Sequence, residues 1–397
     1  MHLPWISRGE NNLENFFRNG VISNHTLAVT AGNAERNVRV SASHKLQTGI
    51  VPSTSLGSTN FSVAGKYTFK KLSVDASLNY NKQESDNIPE VAWSSQSFIY
   101  NLALWMGANV DVNDLQDYWI EGQEGFQQRH YSTSFYNNPY FLANEFSRGY
   151  YRDVTYGQVL LSYDITDDLS VSMRNGINYF SLNRTRQEPI SFVRDFNRTD
   201  GNFQQTNDTD FTLNTDLFLN YSKTINENFN IQSTVGLSNN YRNARTANIS
   251  TNGLNVPGFY NISNSRNALL GFNSFRESRI SSAYATVDFG ILNSIFIGVT
   301  GRNDWVSTLP VENNSFFYPS VSLSYVASNM FDLPDLISNL RIRGSWAEVS
   351  NGSFGGTYSH IPTYNSGTNW QNNASLFFPD ELISPDLQPE TSSAFET

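Results

Sequence analysis

Residues 71–80 read KLSVDASLNY and alternate without a fault. Leu72, Val74, Ala76, Leu78 and Tyr80 fall on one side of an extended chain; Ser73, Asp75, Ser77 and Asn79 fall on the other. Successive side chains of a β-strand point to opposite faces, so this is a strand with one apolar and one polar face. The pattern recurs at 25–32, 38–46, 61–69, 157–165, 169–180, 211–222, 229–241, 282–290, 294–302, 319–326 and 339–346, which makes twelve strands. A thirteenth begins near Glu390. Several reach the roughly 9–11 residues that a tilted strand needs to cross a bilayer.

The connections constrain the fold further. Short ones lie at 33–37, 70–71, 165–168, 223–228 and 291–293, with a somewhat longer one at 327–338. Long ones lie at 47–57, 82–150, 183–206, 242–278, 303–315 and 350–388. Short and long alternate, so every long connection emerges at one end of an up-and-down sheet. That asymmetry is characteristic of outer-membrane β-barrels, whereas a soluble sandwich or propeller scatters its long connections. Charge fits the same frame. Arg341 and Arg343 alternate with Leu340 and Ile342, Asp216 precedes Leu217, and Asp288 stands between Val287 and Phe289. A one-residue slip exchanges the faces and costs about 2–4 kcal/mol for each Arg turned to mid-membrane lipid. Aromatic residues stand at strand ends: Tyr67, Phe69, Tyr80, Tyr163, Tyr179, Phe180, Tyr221, Tyr241, Tyr325 and Trp346. Interfacial girdles place them there. A soluble all-β protein with solvated outer faces has the same composition and is the competing reading.

Composition removes other classes. With 28 Phe, 20 Tyr and 7 Trp in 397 residues, the chain is not disordered. A formal net charge of −10 argues against non-specific nucleic-acid binding, which needs clustered Lys and Arg. Without cysteine there is no disulfide framework, Cys-ligated zinc or thiol catalysis. No window holds 18 consecutive apolar residues, so no transmembrane helix is expected. The N-terminus MHLPWISRGENN has no apolar h-region, and no signal peptide is read there. The C-terminus stops in mid-pattern, as in a fragment.

No catalytic site is expected. His2, His25, His44, His130 and His360 show no short metal-binding spacing, and there is no Gly-x-Ser-x-Gly elbow or Walker loop. Asp167 and Asp168 lie in a tight turn, where Asp is favoured, and 225–228 is a turn rather than a calcium loop. No cofactor is expected; calcium in the long loops stays open, because its ligands come from distant positions.

The candidate ligand-binding segment is the connection 82–150. A connection of this length is functional or disordered. It carries Trp93, Trp105, Tyr118, Trp119, Tyr131, Tyr136 and Tyr140. Aromatic faces stack on sugar rings and bury apolar peptide side chains; the alternative is that these residues form the loop's own small core. The stretch SQSFIYNLALWMG (95–107) reads as a short helix whose apolar face packs on the barrel mouth. In GRNDWVSTLP (301–310) a strand turns into a loop, with Asp304 bonding backbone amides and Trp305 anchoring at an interface. Residues 353–373, rich in Gly, Asn, Ser and Tyr, read as an adaptable recognition surface or a mobile loop.

Several stretches resemble the SusC/RagA-type TonB-linked outer-membrane proteins (TonB-dependent receptors) of Bacteroidetes. ENFFRNGVISNHTLAVTAGNAERNVRVSASHKLQTGIV (14–51) resembles the start of their barrel. YNNPYFLANEF with VTYGQVLLSYDITDDLSVSMRNGINYF (136–180) resembles a later loop and hairpin. GRNDWVSTLP with NNSFFYPSVSLSYVAS (301–328) is the most specific match, followed by LRIRGSWAEVSNG (340–352) and LQPETSSAFE (387–396). The resemblance implies an antiparallel up-and-down transmembrane β-barrel, here partial, with about twelve strands of about 22. Residues 1–397 would form an incomplete barrel domain without the signal peptide, TonB box or plug. It further implies import of oligosaccharides or peptides across outer-membrane lipid. The partners would be a SusD-like lipoprotein lid on the long-loop side and the TonB complex acting through the plug. Two rival functions are a surface glycan- or protein-binding β-protein without transport, and a soluble carbohydrate-active enzyme with paired carboxylates in a cleft.

Overall fold

The computed structural model describes residues 6–397 apart from 133–135, 195–196, 332–333, 335, 353–355, 358, 372 and 381–383. The His2 reading and part of the 353–373 reading lie outside the described residues. Thirteen strands form one antiparallel sheet in strict sequence order. They are β1 (Ile22–Gly32), β2 (Arg36–Thr48), β3 (Ser55–Phe69), β4 (Leu72–Ser85), β5 (Ser147–Asp164) and β6 (Leu169–Arg194). There follow β7 (Asn197–Asn226), β8 (Phe229–Ser250), β9 (Leu270–Ile291), β10 (Ile295–Val306), β11 (Ser315–Val326), β12 (Arg341–Asn351) and β13 (Glu390–Glu396). No described helix is long and apolar enough to cross a membrane.

The register carries the two-faced alternation from strand to strand across the sheet. Val29 pairs with Val40, Val40 with Val63, and Val63 with Leu78. Leu217 joins Met173 to Leu237, and Val299 joins Val287 to Val321. On the other face Leu160 joins Asp75 to Arg174, and Asp216 joins Arg174 to Ser238. Arg343, Asp216 and Asp288 all lie on this polar face. In a transmembrane barrel the apolar face meets lipid and the polar face lines the lumen.

Charges on the polar face are paired. Arg174 sends Nε and Nη2 to Asp216 Oδ2 at 2.9 and 2.7 Å. Arg302 donates to Asp304 Oδ1 at 2.7 Å, and the Tyr318 hydroxyl to Asp304 Oδ2 at 2.7 Å. This corrects the expected role of Asp304. It is a strand residue facing the lumen, and its partners are side chains rather than turn amides. Trp305 lies on the apolar face, opposite Ser281 and Ser315.

Two long connections dissolve. The stretch 183–206, expected to be a loop, is strand on both sides of residues 195–196, and 242–278 shrinks to a connection at 251–269. β6 and β7 therefore run for 26 and 30 residues, far beyond the 9–11 that span a bilayer. Above the membrane both faces of a hairpin meet water, so the period-two hydrophobic signal disappears while backbone pairing continues. Phe180 is a second correction. It follows Tyr179 directly and so points to the lumen, pairing with Val154 and Asp210.

Candidate functional site

The longest connection, 86–146, joins β4 to β5. It folds on a core of its own with the N-terminal helix α1 (Asn12–Phe16) and the tip of β6. Phe16 stacks on Phe98 with centroids 5.7 Å apart, and Phe146 stacks on Phe192 at 4.9 Å. Phe192 enters this core because the β6–β7 register shifts between Ile190 and Val193. A β-bulge of this kind re-aims a side chain. Ser191, at φ 75°, carries the unusual backbone angle that the bulge needs.

Buried amides lock the loop. Gln128 donates Nε2 to Asn137 Oδ1 at 2.9 Å and to the Ser191 carbonyl at 2.8 Å, and its Oε1 accepts from the Asn138 amide at 2.9 Å. Asn137 donates Nδ2 to the Ser95 and Val193 carbonyls at 2.8 and 2.9 Å, and its Oδ1 accepts from the Val193 amide at 2.8 Å. Asn138 caps helix α2 (Pro139–Asn144) by accepting from the Tyr140 and Phe141 amides. Gln128, Asn137 and Asn138 are fully buried. Each uses both donor and acceptor, so the network fixes one conformation rather than leaving costly orphan groups.

The seven aromatic candidates divide. Tyr140, 9% exposed, belongs to the loop core. Tyr118 and Trp119 pack against it. The Tyr118 hydroxyl donates to Glu145 at 2.9 Å, and burial, then this hydrogen bond, push its pKa up. Trp93, Trp105 and Tyr136 lie elsewhere, in an open cluster. Trp105 is 47% and Trp93 76% exposed. Trp105 stacks on Tyr136 at 5.7 Å and 13°, and Tyr136 stacks on Tyr131 at 5.9 Å and 4°. Tyr131 bridges the two groups: it packs on the core and its hydroxyl donates to the Asn101 carbonyl at 3.0 Å.

Tyr100 completes the cluster, meeting Trp93, Trp105 and Tyr136 within 6.2 Å. It was not among the sequence candidates, although it lies in the 95–107 stretch with Trp105. Tyr100–Trp105 form a π-helical turn, which brings positions five apart together where an α-helix does not. The apolar face of this stretch packs through Phe98 and Leu102 into the loop core. Among the described residues no group of His, Asp or Glu is placed to hold a metal ion.

Residues 106–397 match the family model described as TonB dependent receptor-like, beta-barrel. The chain belongs to this TonB-dependent receptor family. It is similar in structure to the RagAB peptide transporter, with a TM-score of 0.77 and 16% identity over 97% of this chain and 43% of that one. The RagAB peptide importer in the closed-closed state gives 0.78 and 16% over 98% and 43%. FpvA of P. aeruginosa, bound to heterologous pyoverdines, gives 0.53 and 11% over 95% and 44%. At these identities the likeness is one of fold. The chain spans less than half the length of these TonB-dependent receptors. Comparison with curated proteins gives no match.

Proposed function

We propose that the chain forms part of the wall and mouth of a TonB-dependent transporter in the outer membrane of a Gram-negative bacterium. The cargo is an oligomeric nutrient, oligosaccharide or peptide. A SusD-like lipoprotein covers the long-connection end, and the TonB complex supplies energy through the plug and TonB box of the full-length protein. One observation carries this reading. Trp93, Tyr100, Trp105 and Tyr136 form an open aromatic cluster on a loop whose backbone is held rigid from within. A preorganised aromatic platform binds with little ordering cost. The likeness in fold to the RagAB peptide transporter and peptide importer favours peptide.

The test uses the full-length protein, immobilised in detergent and exposed to a maltooligosaccharide ladder and to a tryptic peptide mixture. Retained species are read by mass spectrometry. Replacing Trp105 and Tyr136 together by Ala is expected to lower retention about tenfold, since each aromatic contact contributes about 0.5–1.5 kcal/mol. Unchanged retention overturns the platform. Uptake of the retained species by cells that lack TonB separates transport from surface binding: uptake that persists there rules out the transporter reading.

A further inference from the structure

The polar face of β5 and β6 gathers guanidinium groups at its long-connection end. The register sets Arg148 opposite Arg186, Tyr150 opposite Arg184, and Arg152 opposite Leu182. All four arginines share parity with Arg174 and so lie on the lumen-lining face. They line a pocket of about 520 Å³ whose lining includes Tyr150 and Phe180 but no carboxylate. The chain carries a formal net charge of −10, so composition does not account for this concentration.

Three of the four are paired. Arg148 bridges to Glu90, Arg184 to Asp208 at 2.6 Å, and Arg186 to Glu188, which it shares with Arg194. Arg152 differs. It makes no ion pair or side-chain hydrogen bond among the described residues, and its Nε, like that of Arg186, is shielded from solvent without a partner there. Asp153, the carboxylate next to it in sequence, lies on the opposite face and accepts from the Tyr80 hydroxyl at 2.5 Å. A guanidinium offers five donors in a planar fork, and a shielded donor left unmet is costly. We propose that this pocket is an anion subsite in which Arg152 takes a carboxylate of the cargo. The fork matches a carboxylate in bidentate geometry, Tyr150 and Phe180 offer flat apolar faces beside it, and the volume suits one residue of an oligomer rather than a whole chain. The proposal rests on the transporter reading and narrows its cargo to carboxylate-bearing oligomers.

Arginine labelling by phenylglyoxal in the full-length protein, read residue by residue by mass spectrometry, tests it. The probes are tetra-aspartate and tetragalacturonate, with tetra-asparagine and maltotetraose as uncharged counterparts. An acidic probe is expected to slow labelling of Arg152 while its uncharged counterpart does not. Protection by the peptide alone, by the uronate alone or by both supports the subsite and identifies the source of the carboxylate. Protection by neither overturns it. Arg152→Gln is expected to weaken binding of the protecting probe about tenfold and to leave the uncharged probes unchanged; a variant that keeps its preference for the acidic probe also overturns the proposal. Labelling reports on this pocket even if the aromatic double variant shows no effect, so the two readings fail separately.

Discussion

His130 shows how one side chain ties the loop to pH. Its Nδ1 lies 2.8 Å from the Tyr136 carbonyl, and its Nε2 is buried without a partner among the described residues. Burial lowers its pKa, with the Tyr136 hydrogen bond working against that shift. The folded loop therefore holds the imidazole neutral, while the unfolded chain titrates near 6.5. As pH falls below about 6.5, the unfolded state takes up a proton that the folded state refuses, and stability is lost down to the lower folded-state pKa. Hydrogen exchange of amides 128–132 and 136–138, corrected for intrinsic rates, is expected to accelerate between pH 7.5 and 5.5, and His130→Gln is expected to flatten that response. At this scale the sequence identified seven of the aromatic residues, but neither Tyr100 nor the division between core and open cluster. Tyr140 and Tyr136 are the same residue type in one irregular loop, and without a period nothing local says which points inward. Arg152 was invisible for a related reason: an arginine on a polar face is ordinary until its neighbours are known to be paired elsewhere.

Strands were legible where lipid lies on one side and water on the other. Val63, 47% exposed, stands between Val40 and Leu78 on the apolar face; Ser62 stands between Ser41 and Asn79 on the polar face. Val63→Arg is expected to lower stability by about 2–4 kcal/mol, whereas Ser62→Arg changes it little. Unfolding of the two full-length variants from lipid vesicles in denaturant reads the difference, and equal costs would contradict the assigned faces. Aromatics bound the apolar belt on several strands: Phe61 and Phe69 on β3, Phe211 and Tyr221 on β7, Phe317 and Tyr325 on β11. One row departs from the pattern. Asn175, Thr215, Asn239 and Ser281 share register on the apolar face. Thr215 donates to Asn175 at 2.8 Å and Asn239 to Ser281 at 2.9 Å, so these groups satisfy one another. The extensions of β6 to β9 escaped the sequence reading because a hairpin wetted on both faces has no hydrophobic alternation to detect.

The whole sheet runs from β1 to β13 in order, and β1 and β13 each pair with one neighbour only. Their outer backbone groups have no partner strand among the described residues, and such edges template further pairing. Residues 1–397 expressed alone and offered to lipid vesicles are therefore expected to give β-rich aggregates. A discrete monomeric band that shifts on heating in semi-native electrophoresis would show instead that these thirteen strands close by themselves.

The amino-acid sequence by itself determined the strand alternation, the face of each membrane-crossing strand and the end at which long connections gather. Each follows from local chemistry: a period of two, a charge that lipid rejects, a turn too short to do anything but reverse. Only the tertiary structure decided which aromatics of 86–146 are core and which are open, how far the hairpins rise and that Arg152 lacks a partner among the described residues. Those outcomes depend on contacts between residues far apart in the chain, such as Phe16 with Phe98, Asn137 with Val193 and Arg184 with Asp208, and no local pattern encodes them.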